Sequence, residues 1–140
     1  MLFLLFCGLV LQGNQRSFKI KSKFSHLKLI DDWVFLSMET ITYNDEEEER
    51  EVVVQDEKNV ETLSFHSSGS MSFVSMKNGK EKKGRGLWLI KDENIRIIAM
   101  KDTIDAVYSI DNGILTLETS EKATDEFYGF TSIVKYKNNQ

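Results

Sequence analysis

Short apolar runs separated by turn residues occupy the chain after residue 30, and no stretch there has the period of an amphipathic helix. The runs are rich in aromatic and β-branched residues, which favour strands. Asn78 and Gly79 form the dipeptide that most strongly indicates a tight hairpin turn. The chain also has no proline, a residue that cannot donate to a sheet ladder. We therefore predict a sheet protein in which tight turns join consecutive strands.

The spacing of these runs limits the number of possible architectures. Most follow one another at intervals of roughly 8–12 residues, a pattern typical of an antiparallel sandwich or barrel of about eight strands. A short helix or a single turn could precede them within residues 18–29. The predicted strands cover residues 33–43, 52–54, 60–66, 71–76, 86–91, 95–100, 103–110, 114–119 and 127–137.

Size, charge and cysteine content exclude several classes of protein. A chain of 140 residues fits one domain and can bury a substantial core. Its net charge of -4 gives no electrostatic reason to expect a nucleic-acid partner. A single cysteine, Cys7, cannot form a disulfide within the chain. These properties indicate one small domain without a disulfide scaffold.

The N-terminal residues resemble a targeting signal rather than a part of the folded domain. Residues 1–11 are uncharged and almost entirely apolar, but they are too few to span a bilayer as a helix. We interpret residues 1–13 as an export signal, which predicts a secreted, periplasmic or cell-envelope protein. Lipid attachment at Cys7 is the less favoured alternative, because Phe6 stands where a lipoprotein signal needs a small residue.

Two charged stretches allow more than one interpretation. Residues 44–51 are acidic and could bind a cation or a basic partner, but a solvated loop fits consecutive glutamates better. Residues 77–85 are basic and could contact an anionic headgroup or a polysaccharide. A solvated hairpin, whose charges discourage pairing with other sheets, is the favoured interpretation of that stretch.

Strand alternation indicates which side chains face the interior. Leu63 and Phe65 share one face of their strand, and Met71 and Phe73 share one face of the next. A barrel of eight strands can be filled by its own side chains or can hold one small ligand. Both possibilities remain open for the large interior candidates, which are Trp33, Phe65, Phe73, Trp88, Tyr108 and Phe130.

Several motifs appear in an order and spacing similar to those of a known family. They are TLSF at residues 62–65, GLW at 86–88, and YSI followed by GILTL within 108–117. In this respect residues 27–137 resemble the lipocalin-like domain family of small secreted or lipid-anchored bacterial proteins, of the Bacteroidetes type. Asp31 stands where that family usually has glycine ahead of Trp33.

The resemblance implies an all-β, antiparallel, up-and-down eight-stranded β-barrel that binds a small hydrophobic or amphipathic ligand in its interior. No ligand residue carries over from the family, and the strand alternation supplies the expected lining residues, which are Phe65, Phe73, Trp88 and Tyr108. The alternative is a filled barrel that acts through its surface at the cell envelope. The sequence leaves the oligomeric state open.

Catalytic chemistry finds little support in the sequence. The chain has two histidines, His26 and His66, and no nucleophile motif accompanies either of them. We therefore expect no enzymatic activity, no metal site and no organic cofactor.

Overall fold

The computed structural model describes residues 27–139, where nine strands follow a 3-10 turn at Leu27–Leu29. The predicted export signal at residues 1–13, together with Cys7 and His26, lies outside the described residues. The strands are β1 Asp32–Tyr43, β2 Glu48–Val54, β3 Asn59–Phe65, β4 Ser70–Lys77, β5 Lys80–Lys91, β6 Asn94–Ala99, β7 Asp102–Asp111, β8 Ile114–Glu121 and β9 Gly129–Asn138.

Eight of these strands form a closed antiparallel barrel, which confirms the predicted fold class. From β3 to β9 each strand pairs with the next one in the chain, and β1 closes the barrel by pairing with both β3 and β9. The ninth strand, β2, pairs with residues 37–43 of β1, which follow the segment of β1 that pairs with β3. A register shift between Phe35 and Ser37 bends β1 where it passes from one neighbour to the other.

The inner face of the barrel carries the core, as strand alternation predicts. Along β3 and β4 the alternate residues are buried, and the apolar members form one continuous cluster. The 3-10 turn belongs to this cluster through Leu29, whose carbonyl oxygen accepts a 3.0 Å hydrogen bond from Trp33 Nε1. That bond satisfies the buried indole N–H and holds the turn against one end of the barrel.

The acidic stretch is not a loop throughout its length, contrary to the sequence-based interpretation. Only its beginning turns the chain, where the Asn44 side chain accepts hydrogen bonds from the backbone N–H groups of Glu46 and Glu47. From Glu48 onward the backbone forms β2, in register with β1. Arg50 supports the pairing through a 2.9 Å ion pair with Glu39 of β1. Backbone pairing with β1 therefore outweighs the low strand propensity of consecutive glutamates.

The basic stretch forms a hairpin, as predicted, but β5 begins earlier than the apolar pattern indicates. Asn78 and Gly79 make the turn with φ angles of 52° and 77°, values in the left-handed region that favours these two residue types. Strand β5 then starts at Lys80, whereas the sequence predicted a strand from Gly86. Its first six residues pair with β4, and five of the six are exposed to solvent.

Candidate functional site

Three of the four predicted lining residues lie deep in the barrel and contact their own neighbours. Phe65 and Trp88 meet edge to face, with their ring centroids 5.6 Å apart. The indole Nε1 of Trp88 donates a 3.0 Å hydrogen bond to the carbonyl oxygen of His66. The ring of Phe73 covers Gly84, where an added Cβ would lie 2.3 Å from the ring. These rings therefore form part of the core, and their role as ligand lining stays a prediction.

Tyr108 occupies a more accessible position on the same inner face. It is partly buried against the core cluster, whereas the other three predicted lining residues are almost fully buried. Burial and the nearby Glu93 carboxylate raise the pKa of Tyr108, because both disfavour the negatively charged phenolate form of its side chain. The structure thus places all four predicted residues inside the barrel, with Tyr108 nearest to solvent.

Four buried polar side chains interrupt the apolar inner face, and we call them the inner polar residues: Glu61, Ser75, Thr119 and Ser132. They come as two cross-strand pairs, since Glu61 lies opposite Ser75 in β3–β4 and Thr119 lies opposite Ser132 in β8–β9. Each pair is farther from the 3-10 turn than the large apolar residues of the same strands. The polar positions therefore concentrate toward the other end of the barrel.

A tyrosine of β9 contacts one of these pairs from two strands away. The hydroxyl of Tyr136 in β9 donates a 2.7 Å hydrogen bond to Glu61 Oε1 in β3. To do so it passes over β1, where Phe35 meets the Tyr136 ring edge to face with ring centroids 6.0 Å apart. Because Glu61 is completely buried, this bond satisfies part of a carboxyl group that would otherwise be costly to desolvate.

Two of the buried hydroxyl groups lack a hydrogen-bond partner within the described part of the chain. They are Ser75 Oγ, in a residue that is 1% exposed, and Thr119 Oγ1, in a residue that is 4% exposed. Leaving such a group unsatisfied costs about 1–3 kcal/mol. A buried hydroxyl group avoids that cost where a water molecule or a ligand completes its hydrogen bond.

The sequence contains a signal for the inner polar residues that the apolar pattern alone does not reveal. Alternation in the run VETLSF places Glu61 on the same face as Leu63 and Phe65, which were recognised as interior residues. The same reasoning extends the face of Met71 and Phe73 to Ser75. A polar residue in phase with a buried apolar series is the mark of an interior polar group.

Two surface clefts lie near the loops at the far end of β1, and none of the inner polar residues lines either of them. One has a volume of about 440 Å³ and is lined by residues 44–46 and 123–128. The other has a volume of about 280 Å³ and is lined by Thr42, residues 47–49 and Tyr128. Neither cleft includes a predicted lining residue. Within residues 27–139 no group of histidine, cysteine or acidic side chains is arranged to hold a metal ion.

His66 occupies the turn between β3 and β4, an exposed position. Its Nε2 atom lies 3.3 Å from Ser72 Oγ, a contact between two residues on the outside of the barrel. The absence of enzymatic activity stays a prediction.

Comparison with known proteins adds no relative. Neither a scan against protein-family models nor searches of curated proteins and solved structures returns a match for this chain. Among the described residues, no helix has the length and apolar character needed to cross a membrane.

Proposed function

We propose that this chain is a lipocalin-like barrel that binds a small amphipathic molecule in its interior. The observation that carries the proposal is the buried hydroxyl of Ser75, which lacks a partner beside the buried Glu61 side chain. A polar group on a ligand would supply the missing hydrogen bond. The apolar part of the ligand would contact the aromatic residues of the same inner face, with Phe73 nearest along β4.

The surroundings of Ser75 favour a neutral or cationic polar group. A hydroxyl can both donate and accept, so Ser75 itself does not select the sign of the ligand. Ser75 lies between Glu61 of β3, which is completely buried, and Lys82 of β5, which is exposed to solvent. Because water screens the exposed ammonium group, the buried Glu61 carboxyl group dominates at this position and disfavours an anionic partner. An alcohol, amine or amide on an apolar body therefore fits better than a fatty acid.

Ser75→Ala provides the direct test of this site. We expect 1-decanol to raise the melting temperature of the wild-type protein, and sodium decanoate to raise it less. Ser75→Ala should bind decanol about fivefold more weakly, the equivalent of about 1 kcal/mol for one hydrogen bond. It should unfold no more easily without ligand, because it removes an unsatisfied hydroxyl. Calorimetric titration measures the affinities.

Ser109→Ala is the matched control, since Ser109 is an exposed serine on the outer face of β7. It should bind decanol as the wild-type protein does. Equal decanol affinity in the Ser75→Ala variant and the wild-type protein would contradict the site. Failure of the wild-type protein to bind either decanol or its amine counterpart would contradict the proposed function.

We also propose that the protein acts outside the cytoplasm, in the periplasm, at the cell envelope or after secretion. The support for this part is the uncharged apolar stretch at residues 1–11. Removal of residues 1–13 would leave a mature chain without Cys7, which suits an oxidising compartment. The intact mass of protein recovered from a bacterial envelope distinguishes cleavage from lipid attachment at Cys7.

A further inference from the structure

Two strand edges in the described structure have no neighbouring strand. Strand β2 pairs with β1 on one side only, which leaves its other edge unpaired. Strand β5 pairs with β6 only from Gly86 onward, so residues 80–85 have β4 on one side and no strand on the other. Unpaired edges present backbone N–H and C=O groups that can accept another strand.

These two edges carry opposite charge. The acidic edge, which we define as residues 48–51 of β2, contains three glutamates and one arginine, for a net charge of -2. The basic edge, defined as residues 80–83 of β5, contains three lysines and one glutamate, for a net charge of +2. All eight residues are exposed. Charge thus favours pairing between unlike edges over pairing between two like edges.

We propose that the acidic edge of one copy of this chain pairs antiparallel with the basic edge of a second copy. In one register all four directly opposite pairs join unlike charges, an arrangement that stabilises antiparallel strands. The four pairs are Glu48 with Lys83, Glu49 with Lys82, Arg50 with Glu81, and Glu51 with Lys80.

Neighbouring arrangements do not share this complementarity. A shift of one residue places Glu49 opposite Glu81 and Arg50 opposite Lys80. Parallel pairing of the two edges also places Glu49 opposite Glu81, and it sets Arg50 against Lys82. The charge pattern therefore specifies both the direction and the register of the contact.

The faces of the two strands also match in this register. Residues directly opposite in an antiparallel pair project to the same face of the sheet. Glu49 and Glu51 alternate in phase with Val53, which packs against the core cluster. Lys80 and Lys82 alternate in phase with Trp88, a core residue on the inner face of β5. The inner face of one copy therefore continues into the inner face of the next.

Charge reversal tests the proposal through the oligomeric state of the full chain. An acidic-edge variant carries Glu48→Lys, Glu49→Lys and Glu51→Lys, and a basic-edge variant carries Lys80→Glu, Lys82→Glu and Lys83→Glu. In sedimentation experiments at low ionic strength, the wild-type protein should self-associate with increasing concentration. Each variant alone should remain monomeric, because both of its edges then carry the same charge.

An equimolar mixture of the two variants should associate again. The intact basic edge of one variant complements the intact acidic edge of the other, and the two reversed edges also complement each other. Added salt should weaken both the wild-type and the mixed association, because the charges are exposed. A wild-type protein that stays monomeric, variants that associate singly as well as the wild-type protein does, or a mixture that stays monomeric would each overturn the proposal.

Circular dichroism reports whether the triple variants fold. If they do not, the single variants Glu49→Lys and Lys82→Glu form a second pair for the same test. These two positions lie directly opposite each other in the proposed register. Each should weaken association severalfold, and mixing them should restore it. A chain that carries both substitutions should also regain the association, because its two reversed charges face each other in this register. A double variant that associates as weakly as the single variants would exclude this register.

Discussion

At the scale of single residues, the Arg96–Asp105 ion pair is well placed to stabilise the barrel. The Nε and Nη2 atoms of Arg96 donate to the two carboxylate oxygens of Asp105 at 2.7 and 2.9 Å, across β6 and β7. The Arg96 side chain is only 14% exposed, and the bond to Asp105 raises the pKa of its guanidinium. Two parallel bonds in a partly buried site are stronger than a single exposed contact.

Asp105→Asn should therefore lower the free energy of unfolding by about 1–2 kcal/mol. Glu39→Gln is the matched control, because it removes the nearer of two carboxylate partners of the more exposed Arg50 and should cost less than about 0.5 kcal/mol. Urea denaturation measures both changes. Equal losses in the two variants would contradict the distinction drawn from burial.

Individual residues of the candidate site differ in how far the sequence could predict them. The sequence placed Phe65, Phe73 and Trp88 inside the barrel correctly, because large apolar residues in period-two alternation have few other positions. It could not show that the Tyr136 hydroxyl meets Glu61, a contact between residues 75 positions apart. Contacts of that kind depend on which strands become neighbours when the barrel closes.

At the scale of elements, the close approach of β5 and β6 depends on Gly86. A Cβ at this position would lie 2.2 Å from the backbone oxygen of Ile98, an atom that cannot move without disturbing the β5–β6 pairing. Gly86→Ala should lower the free energy of unfolding by about 2–3 kcal/mol, as overpacking of a tight contact does.

Gly113→Asn gives the control for Gly86→Ala. Gly113 has a φ of +74° in the β7–β8 turn, and a Cβ there would meet no atom within 4 Å. Asparagine tolerates that left-handed backbone, so the substitution should cost less than about 1 kcal/mol. Thermal or urea unfolding distinguishes the two variants, and an unchanged stability in Gly86→Ala would contradict the close approach of Gly86 to the backbone of Ile98.

Elements with an apolar face were predictable, and the charged extensions were not. The turns at Asn78 and Asn112 follow from local chemistry, since both residues adopt positive φ ahead of a glycine. Strand β2 and the first half of β5 lack an apolar alternation from which a strand could be recognised. They form because a neighbouring strand offers hydrogen bonds, which is information that the local sequence does not contain.

At the scale of the whole molecule, the closed barrel divides the protein into an interior and a surface with separate roles. The interior combines an aromatic core with the inner polar residues, and it is the basis of the proposed ligand site. The surface carries the two unlike strand edges, which are the basis of the proposed self-association. Lys82 of the basic edge lies directly opposite Ser75, whereas the acidic edge pairs with β1 alone. Reversing the charges of the acidic edge should therefore leave ligand binding unchanged.

Native mass spectrometry of the protein recovered from a bacterial envelope, without detergent, tests the ligand-binding proposal most directly. We predict a reproducible extra mass on the wild-type protein that disappears on denaturation, and a reduced amount of it on Ser75→Ala. A bare wild-type chain, both as recovered and after incubation with excess 1-decanol, would contradict an interior binding site.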